Sequence, residues 1–229
     1  MVKRYLEVDL IRGFALVLMI VFHLFYDLNH FNYIDINIRS GIECHYFRFF
    51  ILTLFIGTVG ISLTLANTNG LKLKAIKIRT LKLLLAATLI TITTLFSNPA
   101  MWIYFGVIHF ILLASLVGLL FVGRPLLSLI LGVTILVLFN LDLISTHWLY
   151  LQLRELLHLP KYTEDLVRFV PWFGVVLIGI FIGHKKYFDF NTQENRLTKP
   201  LTFLGKHALV IYLVHQPILF GFFELLKKV

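Results

Sequence analysis

Apolar positions along this chain gather into long blocks separated by short polar connections. Seven blocks run roughly over residues 9–28, 46–66, 80–97, 101–122, 125–143, 167–183 and 205–225. Each is near the ~20 residues that carry a helix across a hydrocarbon core. The third and fourth are parted only by "SNPA", where Pro99 cannot continue a hydrogen-bonded helix and Asn98 suits a tight turn. "VGRP", around Gly123 and Pro125, parts the fourth from the fifth in the same way. No internal repeat, low-complexity tail or second domain interrupts the series, so residues 1–229 read as a single transmembrane domain. The expected fold is all-α: a polytopic integral membrane bundle of about seven transmembrane helices.

Composition agrees with that solvent. With 59% hydrophobic and 14% charged residues in 229, and a mean hydropathy of +0.86, the chain lies outside the range of a soluble domain. A net charge of +9 would suggest nucleic acid in a soluble protein. Here the basic residues sit between apolar blocks, where they set orientation and meet anionic headgroups, so lipid is the expected partner and nucleic acid is not. The single cysteine, Cys44, can form no intrachain disulfide and has no CxxC neighbour. The first block does not read as a cleavable signal, because no small-residue cleavage site follows "LVLMIVFHLFYDLNHF" and six more apolar blocks come after it.

Charge also predicts sidedness. With the N-terminus cytoplasmic, 14 of the 21 Lys and Arg residues fall inside: Lys3, Arg4, Arg12, the cluster Lys72, Lys74, Lys77, Arg79 and Lys82, then Arg124, then Lys185, Lys186, Arg196, Lys199 and Lys206. Seven fall outside: Arg39, Arg48, Arg154, Lys161, Arg168, Lys227 and Lys228. That asymmetry follows the positive-inside rule and gives a multi-pass protein of the cell membrane, N-terminus inside and C-terminus outside. The two longest polar connections, 29–45 and 144–166, are then external, where a substrate outside would meet them first.

The first block carries the strongest chemical signal. In "RGFALVLMIVFH", Arg12 and His23 lie eleven positions apart, a rotation of about 1100° and a rise of ~16 Å, which places them on one stripe with Leu16 and Met19 between. Arg12 is expected at the cytoplasmic end and His23 in the outer half. An ionisable group at a helix centre costs ~2.5–3.5 kcal/mol on insertion scales, so it normally faces a partner or a wet cavity. Asp27, at i+4 from His23, can accept a hydrogen bond from the ring and fix its tautomer. The stripe suits a cytoplasmic anionic donor and an external acceptor. Arg12 would grip a phosphate or a pantetheine carbonyl, while His23 removes a proton from a hydroxyl or amine as it attacks an acyl group. The plainer alternative makes Arg12 a snorkelling flank residue and His23 a helix-to-helix hydrogen bond.

Other candidates carry less. His109 in "FGVIHF" could line the same cavity or make a packing hydrogen bond. His215 and Gln216, before Pro217, put two polar side chains beside a carbonyl freed by the proline, a place for a kink and a cavity wall. Arg48, at the outer mouth of the second block, could pair with Asp27 or Glu43, or snorkel. His147, His158, His30 and His45 have no carboxylate or cysteine partners at helical ligand spacing, so no metal is expected. "GIFIG" and "GTVG" read as helix-packing positions. A small-molecule transporter or channel is the alternative class. Its best cue is "NPA" at Asn98 to Ala100, but this chain has one such motif and no visible duplicated half.

"EVDLIRGFALVLMIVFHLFYDL" resembles the first membrane segment of the heparan-α-glucosaminide N-acetyltransferase catalytic-domain family. "HYFRFFILTLFIGTVGISLTLA", "MWIYFGVIHFILLASL", "VPWFGVVLIGIFIG" and "FLGKHALVIYLVHQPILF" are similar to its later blocks in the same order. The spacing of Arg12 and His23 is also similar to the Arg-X10-His signature of the acyltransferase-3 membrane enzymes. The resemblance implies a transmembrane acyltransferase that takes acetyl from cytoplasmic acetyl-CoA and delivers it to an acceptor on the far side, often a sugar. It makes His23 the catalytic base and Arg12 its donor-side partner. Larger relatives carry around ten or eleven spans, so a homo-oligomer that completes a donor tunnel is among the partners the resemblance admits.

Overall fold

The computed structural model describes residues 5–38, 41–67, 70–145, 147–190 and 192–227, without the side chains of residues 147–149. Lys3, Arg4, Arg39 and Lys228, which enter the charge count, lie outside the described residues, as does the side chain of His147. Among the described residues all regular structure is helical, apart from an isolated bridge between Phe105 and Leu166. The helices are α1 (Leu6–His30), α2 (Ile42–Asn67), α3 (Leu73–Ser97), α4 (Val107–Gly118), α5 (Pro125–Asn140), α6 (His147–Leu157), α7 (Phe169–Lys185), α8 (Thr198–Lys206) and α9 (Ala208–Lys227).

Each apolar block holds one of these helices. Four of them, α1, α2, α3 and α9, are long and apolar enough to cross a bilayer, and this is a membrane protein. The other three, α4, α5 and α7, have 12, 16 and 17 residues. At ~1.5 Å per residue α4 covers about 18 Å, less than the ~30 Å of a hydrocarbon core. Its block was expected to be helical over 101–122, and local hydrogen bonds explain the shortening. The Val107 N–H donates to Asp165 Oδ2 at 2.9 Å, and the Val167 N–H to the Phe105 carbonyl at 3.2 Å. These fix 101–106 outside the helix. At the other end, turns from Leu120 to Val117 and from Arg124 to Phe121 lead to Pro125, which opens α5 at its first position, where a missing N–H costs nothing. Asn98 and Pro99 end α3 as their turn chemistry predicts. The Met101 N–H bonds to the Asn98 carbonyl at 3.0 Å, and Asn98 Nδ2 donates to Glu164 Oε1 at 2.7 Å.

The chain forms two compact units. One comprises Lys3–Thr58 with Phe188–Val229 and contains α1, the first part of α2, α8 and α9. Here α1 packs on α8 and α9. The α1·α8 approach is backbone to backbone. A Cβ on Gly13 would fall onto the Leu201 carbonyl, and one on Gly205 onto the Asp9 carbonyl. In a membrane, where lipid tails compete with apolar side chains, such close small-residue contact is what holds helices together. Leu16 and Met19 are buried, so the stripe joining Arg12 to His23 belongs to the packed face of α1. Tyr5 meets Phe188 edge-on at 5.4 Å, and Glu7 Oε1 accepts the Thr192 N–H at 2.9 Å, tying the segment before α8 to the start of α1.

The other unit is Val59–Tyr187. In it α5 packs on α7, α3 on α4 and α4 on α7, with Gly132 and Gly174 facing each other where α5 meets α7. Phe110, Val176, Leu177 and Ile180 form its fully buried centre. The Thr64 hydroxyl donates to the Ile180 carbonyl at 3.2 Å, and the His184 ring donates to the Val122 carbonyl. Outward, α3 exposes Leu81, Leu84, Leu85, Leu89, Ile92 and Phe96. An apolar face of that length is what lipid covers.

Candidate functional site

Helices α1 and α9 bring four polar side chains together: His23 and Asp27 from α1, His215 and Gln216 from α9. Gln216 Nε2 donates to Asp27 Oδ1 at 2.9 Å, and Asp27 is wholly buried. The His23 and His215 rings meet edge to face, with centroids 4.9 Å apart and planes at 63°. His215 Nδ1 lies 2.7 Å from the Tyr212 carbonyl. A carbonyl only accepts, so Nδ1 carries the proton. Four atoms of this cluster are buried with no hydrogen-bond partner among the described residues: His23 Nδ1, Asp27 Oδ2, His215 Nε2 and Gln216 Oε1. A buried polar atom left unmet costs ~1–3 kcal/mol. Four of them on two facing helices can supply hydrogen bonds to a polar guest.

The sequence reading expected Asp27 to orient the His23 ring. Instead the carboxylate accepts from Gln216, across to α9, and the i+4 spacing only shares a face. Arg48, exposed on α2, acts electrostatically on His23, and His30 acts on Asp27. The pairing of His215 and Gln216 with His23 and Asp27 links positions 189 residues apart in the case of Asp27 and Gln216, and no local pattern announces it. Beyond this cluster an open cavity of about 280 Å³ is lined by Tyr26, Asn29, His30, Ile36, Asn37 and Ile38. The Tyr26 ring lies 6.5 Å from that of His23.

Three turns back along α1, Arg12 holds a different set of groups. Its Nη1 donates to Asp9 Oδ1 at 3.0 Å and to the Gly205 carbonyl at 3.3 Å. Since α1 starts at Leu6, Arg12 stands in its second turn. Asp9 was missed as a partner, although its i, i+3 spacing to Arg12 in "DLIR" is a readable signal. On α8 and just before it, an open cavity of about 480 Å³ is lined by Arg196, Lys199, Pro200, Phe203 and Leu204. Arg196 and Lys199 entered the sequence reading only as orienting charges. Glu194 nearby accepts from the Thr202 hydroxyl at 2.6 Å and from Lys206 at 3.4 Å, and these bonds, the hydroxyl's first, hold its carboxyl below the usual range.

His109 belongs to the Val59–Tyr187 unit. Its Nδ1 accepts the Gly106 N–H at 3.3 Å, leaving Nε2–H to donate to the Thr91 hydroxyl at 2.9 Å, which in turn donates to the Ile103 carbonyl. The ring thereby fastens the start of α4 to α3, with Asp165 capping the same end. Among the described residues no group of three or more His, Cys, Asp or Glu side chains is arranged to hold a metal ion.

Residues 4–217 match the sequence model of a family described as heparan-alpha-glucosaminide N-acetyltransferase, catalytic. No curated protein and no solved structure matches the chain.

Proposed function

The chain belongs to the heparan-alpha-glucosaminide N-acetyltransferase catalytic family, and from that premise we propose that it moves an acetyl group from cytoplasmic acetyl-CoA to a hydroxyl or amine on an external acceptor, a sugar above all. The observation that carries this reading is the α1–α9 cluster, where two imidazoles, a carboxylate and an amide each hold a buried, unmet polar atom in a membrane protein. A group that is costly at that depth needs a use. In this reading the bundle crosses the membrane about seven times, with the N-terminus inside.

Arg12 and the basic wall at Arg196 and Lys199 hold the donor end. A guanidinium suits phosphate or a polarised carbonyl, and α8, which carries Lys199, is bound to Arg12 through the Gly205 carbonyl. The acceptor enters by the cavity at Tyr26, Asn29, His30 and Asn37, whose side chains are suited to hydroxyls. His23 takes the acceptor's proton as its oxygen or nitrogen attacks the thioester carbonyl. Asp27 and Gln216 supply acceptors that position a donor-rich substrate. The C–S bond then breaks, and the CoA thiolate leaves with the proton held by His23. No metal is required, and copies of the chain associate to complete the donor path.

The test is turnover by the purified protein in lipid nanodiscs with labelled acetyl-CoA. The parent should hydrolyse it, or exchange its acetyl group with free CoA, whereas a carrier or scaffold does neither. His23→Ala should lose transfer by roughly 10²–10⁴-fold and keep acetyl-CoA binding, since Arg12 is ~16 Å away along the helix. A His23→Ala protein that turns over at the parental rate would remove His23 from the chemistry.

A further inference from the structure

His23 is to act as a base, and among the described residues no hydrogen bond to its Nδ1 fixes which of its nitrogens is basic. The residue expected to do so, Asp27, is bonded to Gln216 instead. His215 has the complementary property. Its Nδ1 is committed as a donor to the Tyr212 carbonyl at 2.7 Å, so in the neutral ring Nε2 is a bare lone pair, and that atom is buried without a partner. The unmet atom of His23 is Nδ1. A donor position on one ring and an acceptor on the other thus stand unsatisfied on rings whose centroids are 4.9 Å apart. The terminal torsion of a histidine is broad, so a small rotation joins them at little cost.

We propose that His215 is the positioning residue of the transfer reaction: its Nε2 accepts the Nδ1–H of His23 and so holds His23 in the tautomer whose Nε2 is the base. The chain of groups is then Tyr212 carbonyl, His215 Nδ1–H, His215 Nε2, His23 Nδ1–H, His23 Nε2, acceptor. When the acceptor's oxygen or nitrogen bonds to the acetyl carbon, its proton passes to His23 Nε2. His23 becomes an imidazolium, whose Nδ1–H bond to His215 strengthens. When the C–S bond breaks, the thiolate takes the proton from His23 Nε2, giving free CoA and neutral His23. His215 keeps its own Nδ1 proton throughout. This is the part a buried carboxylate plays in hydrolytic triads, taken here by a second imidazole that its own helix has already oriented.

This rests on the acetyltransferase reading, and the variants separate the two. His215→Asn keeps an amide N–H near Nδ1 for the Tyr212 carbonyl but has no atom at Nε2. His215→Gln reaches further and can place its carbonyl oxygen where Nε2 was. Both are compared with the parent and with His23→Ala in nanodiscs, using acetyl-CoA as donor and D-glucosamine, D-glucose and water as acceptors, with acetyl-CoA affinity measured by calorimetry. The expected result is a kcat for His215→Asn lower by roughly 10²-fold or more, an unchanged KM and affinity for acetyl-CoA, and a kcat for His215→Gln at least ten-fold above that of Asn. Equal losses in Asn and Gln, a loss confined to KM, or parental turnover in Asn would each overturn the assignment while leaving the acetyltransferase reading in place. Failure of the parent to consume acetyl-CoA with any of the three acceptors defeats that reading, and the role of His215 with it.

Discussion

Arg12 carries two kinds of bond from one nitrogen, a charged one to Asp9 within α1 and a neutral one to the Gly205 carbonyl on α8. A lysine at this position would keep the charge, but its single ammonium lacks the planar fork that can hold a helix and face a phosphate or carbonyl at the same time. Arg12→Lys is therefore expected to fold and to weaken acetyl-CoA binding by ten-fold or more in calorimetry. Unchanged affinity in the folded variant would take Arg12 out of donor recognition. The sequence showed which residues were candidates here, because a guanidinium and an imidazole eleven positions apart on an apolar helix are conspicuous, and because Leu16 and Met19 between them mark the packed side. It did not show the partners. Asp27 was paired with His23 by spacing alone, and the competing donor, Gln216, comes from a helix that no local pattern connects to α1. Asp9 was legible and overlooked.

At the scale of elements, block length predicted where helices lie more reliably than how far each extends. Hydropathy sees Met101 to Val122 as one apolar run, but Asp165, 58 residues beyond Val107, decides where α4 begins. The two helices outside the expected spans, α6 and α8, escaped for a different reason: they are short and amphipathic, so they raise no block in a hydropathy profile. Of these α8 matters most, since it contacts α1 through a glycine on each side. Gly205→Ala would push a methyl onto the Asp9 carbonyl, and Gly13→Ala would do the same at Leu201. Neither obstacle is a side chain that can swing away, so the helices must part, at a cost of about 1–3 kcal/mol for overpacking. Parting them also breaks the Arg12 bond to Gly205. Gly205→Ala should accordingly lower the midpoint of thermal unfolding in nanodiscs and reduce acetyl-CoA affinity together. If the midpoint falls and affinity holds, α8 is a structural brace with no share in donor binding.

For the molecule as a whole, the sidedness of the proposed reaction depends on how many of the shorter helices cross the membrane. Five basic residues gather at the start of α3, Lys72 just before it and Lys74, Lys77, Arg79 and Lys82 in its first three turns, and the positive-inside rule predicts that this end is cytoplasmic. A reporter fused after Gly70 is therefore expected to read cytoplasmic, and one inserted near Glu155 external. The Glu155 result alone would not distinguish two full crossings by α4 and α5 from a pair that enters and leaves on the same face, because both return the chain to the outside. The connection between them does. Arg124 lies there, after a 12-residue helix and before a 16-residue one. The non-helical residues 101–106 and the turns at 119–123 add to the path on either side of α4, and the proposed topology has this segment cross. An Arg124→Cys variant, with Cys44 replaced by serine, should then react with a membrane-impermeant thiol reagent only in inside-out vesicles. Reaction in right-side-out vesicles would place that turn outside, and an external reading after Gly70 would reverse the whole orientation. In the second case Arg12 would face the outside, where no acetyl-CoA is found, and the stripe from Arg12 to His23 could no longer join a cytoplasmic donor to an external acceptor.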